Sequence, residues 1–123
     1  MTIIEAINKI DTFKPNNYTQ IEKISWLSTI DGIIKKEIID THEGSEDVIF
    51  NRYDVDTALD TVLLVPFPYD DIYVKWLEAQ IDYTNGDTQK YNNSMTMYNT
   101  AYYAFQRYYN RTHMPKGKTI KFF

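Results

Sequence analysis

Cysteine is absent from the 123 residues, so the chain has no disulfide, thiolate metal site or thiol nucleophile. Glycine is scarce, and its four isolated copies cannot build a phosphate-binding loop. The two histidines, His42 and His113, lie outside any metal-ligand spacing, and we expect both at the surface near helix ends. Asp54, Asp56 and Asp60 lack the glycine and the closing glutamate of a calcium loop. We therefore predict that the protein is not an enzyme and has no catalytic residue, cofactor or metal.

Long apolar runs are also missing, so we expect no membrane-spanning segment. Residues 1–13 contain Glu5 and Asp11 and lack a basic leader, so we expect no signal peptide. The length is that of one domain. We predict a single helical domain over residues 1–115, which includes an insertion at residues 43–68, and an extended C-terminal arm over residues 116–123.

Charge is distributed unevenly along a chain whose net charge is −4. Residues 37–71 hold ten acidic side chains and one basic side chain, Arg52, and so carry −9. We interpret four of these acids, Asp47, Asp54, Asp56 and Asp60, as part of a loop that contacts a partner or a neighbouring subunit. Residues 111–123 carry +4, and we interpret them as a docking tail formed by Arg111, Lys116, Lys118, Lys121, Phe122 and Phe123. Opposite charges favour self-association or separate acidic and basic partners. The alternative is that these charged side chains are simply exposed to solvent and bind no partner.

Apolar periodicity predicts four helices. Thr2 and Thr19 are each followed three residues later by glutamate, which is the capping-box pattern at a helix start. The first helix should end near Thr12 and the second near Thr41, with a bend or close crossing at Gly32. A helical hairpin follows over residues 70–113, and its corner lies at residues 85–87.

Residues 43–68, which we call the insertion, lose the helical period. Their two β-prone runs, at residues 48–50 and 61–65, predict either two short strands or one long ordered loop. A loop of this length is uncommon in a compact domain unless it has a function. The expected fold is therefore all-α: four helices with a long αα-hairpin, a loop or short β-hairpin insertion, and an extended tail.

The second arm of the hairpin has an aromatic seam, defined by Tyr91, Met95, Tyr98, Tyr102, Phe105 and Tyr109. Steps of three and four residues place all six on one helical face. A second apolar row beside the seam makes this surface broader than a two-helix hairpin requires. The region has no basic groove for stacked bases, so we interpret the seam as core or as an oligomer interface.

Three stretches resemble a known family in their amino-acid sequence and in their order along the chain. They are Pro-Phe-Pro-Tyr-Asp-Asp-Ile-Tyr at residues 66–73, Trp-Leu-Glu-Ala-Gln-Ile-Asp-Tyr at residues 76–83, and the run from Tyr-Asn-Asn-Ser to Tyr-Asn-Arg-Thr-His-Met-Pro at residues 91–115. The chain resembles the head–tail connector (adaptor) proteins of tailed phages and of prophages in Gram-positive bacteria. Those are small helical proteins that assemble as a ring under the portal, extend the DNA channel and receive the next tail-side protein.

The resemblance implies a structural role and several partners. The hairpin arms would form contacts between subunits of the ring, the acidic insertion would line or approach the channel, and the basic tail would reach the portal protein. A tail-side completion protein would be a further partner. The protein would lie in the bacterial cytoplasm during assembly and in the virion neck afterwards, and would bind neither a membrane nor a specific nucleic-acid sequence.

Two alternatives remain open at this point. A DNA-packaging protein such as a small terminase subunit would need a helix-turn-helix in the first two helices, which the connection at residues 14–17 and the acidic second helix disfavour. A small helical binding or inhibitory protein, acting as a monomer or dimer, would use the aromatic seam as ordinary core. Mass in solution and a DNA gel shift separate these alternatives.

Overall fold

A computed structural model describes residues 1–117 of the chain. Its elements are four α-helices, α1 (Ile3–Phe13), α2 (Gln20–Glu37), α3 (Ile72–Thr84) and α4 (Thr88–Thr112), and two short 3₁₀ helices, Ile39–Thr41 and Ser45–Asp47. No β-strand occurs within residues 1–117. The predicted all-α class is confirmed.

Both predicted capping boxes are present. The Thr2 hydroxyl accepts from the Glu5 backbone N–H, and the Glu5 carboxylate accepts from the Thr2 N–H. Thr19 and Glu22 make the same reciprocal pair at the start of α2. Such caps satisfy backbone donors that a helix start leaves free, and each contributes about 1 kcal/mol.

The α-helical part of α2 ends at Glu37, which is four residues earlier than expected. At Ile38 the φ angle is −114°, and the chain continues as a 3₁₀ turn. Two side chains reach the Ile38 carbonyl: the Thr41 hydroxyl donates to it over 2.7 Å, and the His42 Nδ1 lies 2.6 Å from it. Side chains that bond a terminal carbonyl replace the next α-helical hydrogen bond.

The hairpin has the predicted corner. Gly86 has a φ of 75°, a left-handed conformation that favours glycine, and the Asp87 carboxylate caps α4 by accepting from the Lys90 N–H. The first arm begins at Ile72, two residues after the expected Asp70. The Asp70 carboxylate oxygen Oδ2 instead lies 3.6 Å from the N-terminal ammonium of Met1.

The core lies between α1, α2 and α3, with α4 packed mainly against α3. Most of it is aliphatic. Its fully buried large side chains include Ile3, Ile10, Leu27, Ile30, Ile34, Ile72, Tyr73, Leu77 and Phe105.

The insertion is an ordered loop, so the loop interpretation holds and the two-strand interpretation is wrong for the described residues. Its backbone pairs with the first residues of the chain. The Ile3 N–H donates to the Thr61 carbonyl over 3.0 Å, and the Leu63 N–H donates to the Met1 carbonyl over 2.9 Å. Leu63 and Val65 are buried in the core, so the insertion is anchored by both hydrogen bonds and packing.

The C-terminal end of the described chain meets the start of the insertion. The Glu43 N–H donates to the Met114 carbonyl over 2.7 Å, and the Lys116 N–H donates to the Thr41 carbonyl over 3.0 Å. Lys118, Lys121, Phe122 and Phe123 of the expected tail lie outside the described residues. Among residues 1–117, no helix has the length and apolar character needed to cross a membrane.

Candidate interaction surface on the insertion

A buried carboxylate joins the insertion to the helices. Asp31, on α2, is fully buried and accepts three hydrogen bonds. The Tyr53 hydroxyl donates to it over 2.6 Å, and the Leu64 backbone N–H over 3.1 Å. The third donor is the hydroxyl of Tyr73 on α3, which also accepts from the Val65 N–H. Because four segments meet at Asp31, its loss would loosen the insertion as a whole.

Burial shifts the pKa values of Asp31 and of the two tyrosines that donate to it. Desolvation raises the pKa of Asp31, and the hydrogen bonds from Tyr53, Tyr73 and Leu64 partly oppose that shift. Burial and the adjacent Asp31 carboxylate both raise the pKa of Tyr53 and that of Tyr73. The two tyrosines therefore remain hydrogen-bond donors throughout the physiological pH range.

Large apolar side chains are exposed along the anchored insertion. Ile49 is 74% exposed, Val62 69% and Phe67 83%, and Val55 and Leu59 are exposed as well. Five of the eleven exposed large apolar side chains found within residues 1–117 thus belong to this one loop. Scattered exposed apolar residues are ordinary, but a concentration on a fixed loop indicates a contact surface.

Three of the five apolar residues, Ile49, Val55 and Val62, lie in two grooves that Tyr53 also lines. The first groove, of about 260 Å³, includes Ile49, Val62 and the basic Arg52. The second groove, of about 290 Å³, includes Val55, Asp54 and Ile21 of α2. We call this region, with the neighbouring Asp56, the insertion surface.

The predicted acidic loop residues, Asp47, Asp54, Asp56 and Asp60, are all exposed. Asp54 shapes a turn, because its carboxylate accepts from the Asp56 N–H over 2.9 Å and its own N–H donates to Thr57 Oγ1 over 2.8 Å. None of the four forms a salt bridge with any residue from 1 to 117. The described structure leaves their charge available to a partner.

The aromatic seam divides into a buried and a partly exposed part. Tyr98, Phe105 and Tyr109 are buried, whereas Tyr91, Met95 and Tyr102 are half-buried. The half-buried Tyr102 donates to Glu37 over 2.8 Å, across a groove of about 320 Å³ between α2 and the hairpin. Burial raises the pKa of Tyr98 and of Tyr102.

His42 is the clearest error of the sequence interpretation, which placed both histidines at the surface. It is 3% exposed, and its Nε2 lies 2.8 Å from Asn110 Oδ1 of α4. His113 is half-buried and stacks on Tyr109, with ring centroids 3.8 Å apart. Both histidines hold the end of α4 against the end of α2. No group of histidine and carboxylate side chains suited to a metal occurs among the described residues.

The expected docking tail is described only at its start. Arg111 and Lys116 are exposed, and neither forms a salt bridge with another described residue. The backbone hydrogen bonds of residues 114 and 116 fix the end of the described chain against Thr41 and Glu43.

Sequence interpretation also missed three buried charged side chains. Lys23 bonds Asp11 over 2.7 Å, and Asp82 accepts from Ser94 over 2.5 Å and pairs with Lys14. The third is Asp31, whose burial was not predicted, since only a bend or close crossing at the neighbouring Gly32 was expected. A signal was available for it, because Asp31 continues the buried stripe of α2 at steps of four, three and four: Leu27, Asp31, Ile34 and Ile38.

The comparisons with known proteins add no relative. The chain matches no protein-family model, no curated protein and no solved structure.

Proposed function

We propose that the protein is a head–tail connector of a tailed phage or prophage, which assembles as a ring around the DNA channel between the portal and the tail. The sequence resemblance over residues 66–115 motivates the proposal. The insertion surface is the observation that carries it, because an ordered, exposed and apolar loop suits a protein whose work is binding other proteins.

The charge pattern supports the same role. Asp47 and Asp60, the exposed carboxylates of the insertion that lie outside the insertion surface, give a ring negative charge that repels the phosphate backbone of DNA, so that DNA slides past without adhering. The exposed Arg111 and Lys116, together with Lys118 and Lys121, supply a basic segment suited to the portal. The connector acts by shape and charge and carries out no chemical step.

Co-sedimentation with the portal protein of the same phage tests the proposal. The full chain should sediment with portal rings, and a version that ends at Gly117 should bind at least about tenfold more weakly. This truncation keeps the Lys116–Thr41 hydrogen bond, so it removes the tail without disturbing the described fold.

Charge reversal provides the matched control. Lys118→Glu/Lys121→Glu should weaken portal binding as the truncation does, whereas Lys9→Glu/Lys36→Glu, at exposed lysines of α1 and α2, should not. Failure of the folded full chain to bind any portal would contradict the proposal and favour a small binding or inhibitory protein.

A further inference from the structure

The chain presents a second surface whose properties complement those of the insertion surface. It is the outer face of α4, defined here by Met97, Tyr103, Arg107 and Arg111. Met97 is 52% exposed and Tyr103 54%, and both arginines are exposed. This face therefore joins apolar area to positive charge, whereas the insertion surface joins apolar area to Asp54 and Asp56, whose two negative charges exceed the one positive charge of Arg52.

Helix geometry places this face away from the core. Tyr103, Arg107 and Arg111 follow one another at steps of four, which puts them on one side of α4. The buried Tyr98 and Phe105 lie on the opposite side. Tyr103 lies at the border of the groove between α2 and the hairpin, and the two arginines are exposed.

The charge of α4 has one sign. Its 25 residues contain Lys90, Arg107 and Arg111 and no acidic side chain. Within the described part of the chain, neither arginine forms a salt bridge. Arginine at the edge of an apolar patch is well suited to a protein interface, because its stem packs while its guanidinium binds carboxylates.

The insertion surface is already ordered in the single chain, which favours such a contact. Tyr53 at its centre is fixed by Asp31 and by a 3.0 Å bond from its own N–H to Ser28 Oγ. A surface that is already ordered loses little entropy when a partner binds. The two grooves beside Tyr53 can receive large side chains such as Met97 and Tyr103.

We propose that the insertion surface of one copy binds the outer face of α4 of a second copy. The insertion packs on α1 and α2 and α4 packs mainly on α3, so one molecule carries the two surfaces at different places. Such a contact is head-to-tail and leaves one free surface at each end, so further copies add until a ring closes. Ring closure rests on the proposed connector function, whereas the pairwise contact is measurable without a portal.

Sedimentation velocity of the isolated protein provides the test. At concentrations up to roughly 1 mM, where weak contacts are populated, the wild-type chain should associate, and added salt should weaken the association. Asp56→Lys/Val62→Lys on the insertion surface and Tyr103→Ala/Arg107→Glu on α4 should each weaken it at least about tenfold. All four side chains are exposed, so each variant should keep the helical circular dichroism of the wild type.

Mixing the two variants tests the geometry. Each retains one intact surface, so an equimolar mixture should form a dimer that does not grow, although neither variant associates alone. Lys9→Glu, at an exposed lysine of α1, is the matched control and should associate like the wild type.

Three results would overturn the proposal: no association of the wild type at the highest concentration, no dimer in the mixture, or loss of association on truncation after Gly117. The last result would identify the C-terminal tail as the occupant of the insertion surface. Portal binding is measured in a separate experiment, so either proposal can fail without the other.

Discussion

At the scale of single residues, Asp31 is the position on which the insertion depends most. Its three donors come from the insertion and from α3, and water does not replace them at a buried site. A carboxylate that accepts three hydrogen bonds is a specific connector between segments, whereas an apolar residue there would leave two hydroxyls and an N–H unpaired.

Asp31→Asn should destabilise the fold by about 1–3 kcal/mol, because an amide cannot accept from all three donors. Urea unfolding followed by circular dichroism gives the value. Asp60→Asn, at an exposed carboxylate of the same loop, is the control and should change the free energy of unfolding little. Equal stability of the wild type and Asp31→Asn would show that the anchor is dispensable.

The same variant should change the pH dependence of stability. Burial raises the pKa of Asp31 above its ordinary 3.8, so the folded state holds this proton more tightly than the unfolded chain does. The contribution of Asp31 is thus fully present below pH 3.8 and is lost as the pH rises through the folded-state pKa. The wild type should lose stability relative to Asp31→Asn over that interval. A constant difference from acid to neutral pH would contradict the raised pKa.

Four tyrosines should resist ionisation until the protein unfolds. Burial raises the pKa values of Tyr53, Tyr73, Tyr98 and Tyr102 above their ordinary 10.0. Their contribution to stability is present below pH 10 and is lost above it, as the unfolded chain releases these protons first. The part of the rise in absorbance at 295 nm that belongs to these four tyrosines should therefore coincide with loss of helicity. Gradual ionisation of all eleven tyrosines with the helices intact would contradict this.

At the scale of elements, two glycines have opposite roles. Gly32 lies inside α2, and a Cβ there would meet Phe50 Cε2 of the insertion at 3.7 Å, an ordinary contact. Gly86 has a φ of 75°, which costs an alanine about 1–2 kcal/mol.

Gly32→Ala should therefore stabilise the protein by up to about 1 kcal/mol, whereas Gly86→Ala should destabilise it by about 1 kcal/mol. Thermal unfolding of the two variants beside the wild type measures both changes. The pair serves as its own control, since each variant adds one methyl group. Destabilisation by Gly32→Ala would mean that Phe50 cannot yield to the added methyl group.

The elements also show how far local sequence determines this fold. The starts of α1 and α2 and the hairpin corner were predictable, because Thr2, Thr19 and Gly86 act on neighbours within four residues. The end of α2 was not, since it depends on two side chains that compete for the Ile38 carbonyl. Within the aromatic seam, periodicity gave the common face but could not separate the buried Tyr98 from the half-buried Tyr91.

The insertion surface could not be predicted from the sequence, because it is formed by contacts between residues that are distant in sequence. Acidic character at Asp54 and Asp56 was visible in the composition, but the position of Tyr53 over two grooves requires Asp31, which lies 22 residues earlier. His42 was misplaced because its partner Asn110 is 68 residues away. Long-range pairs of this kind leave no periodic signal in the sequence.

At the scale of the whole molecule, charge separation is the main property. The acidic residues 37–71 and the basic residues of α4 and the C-terminal end lie on one chain whose net charge is only −4. We therefore propose that the molecule attracts its own copies at low salt, and we expect it to be a poor general ligand for DNA.

The isolated protein should therefore not shift duplex DNA in a gel at physiological salt, whatever the sequence of the duplex. The second helix presents no uniformly basic surface for DNA, because the exposed Glu22 and Glu37 lie at its two ends. A specific shift at that salt would contradict the connector proposal and favour a DNA-packaging protein.

The central claim is that copies of this chain assemble on a portal, and the mass of the complex tests it most directly. Mass photometry of portal rings titrated with the protein should show the mass rise to a plateau by a fixed multiple of 14.6 kDa, with many copies on each portal. That result would establish a ring of defined stoichiometry. A portal mass that stays unchanged while the folded protein remains free would contradict the connector function.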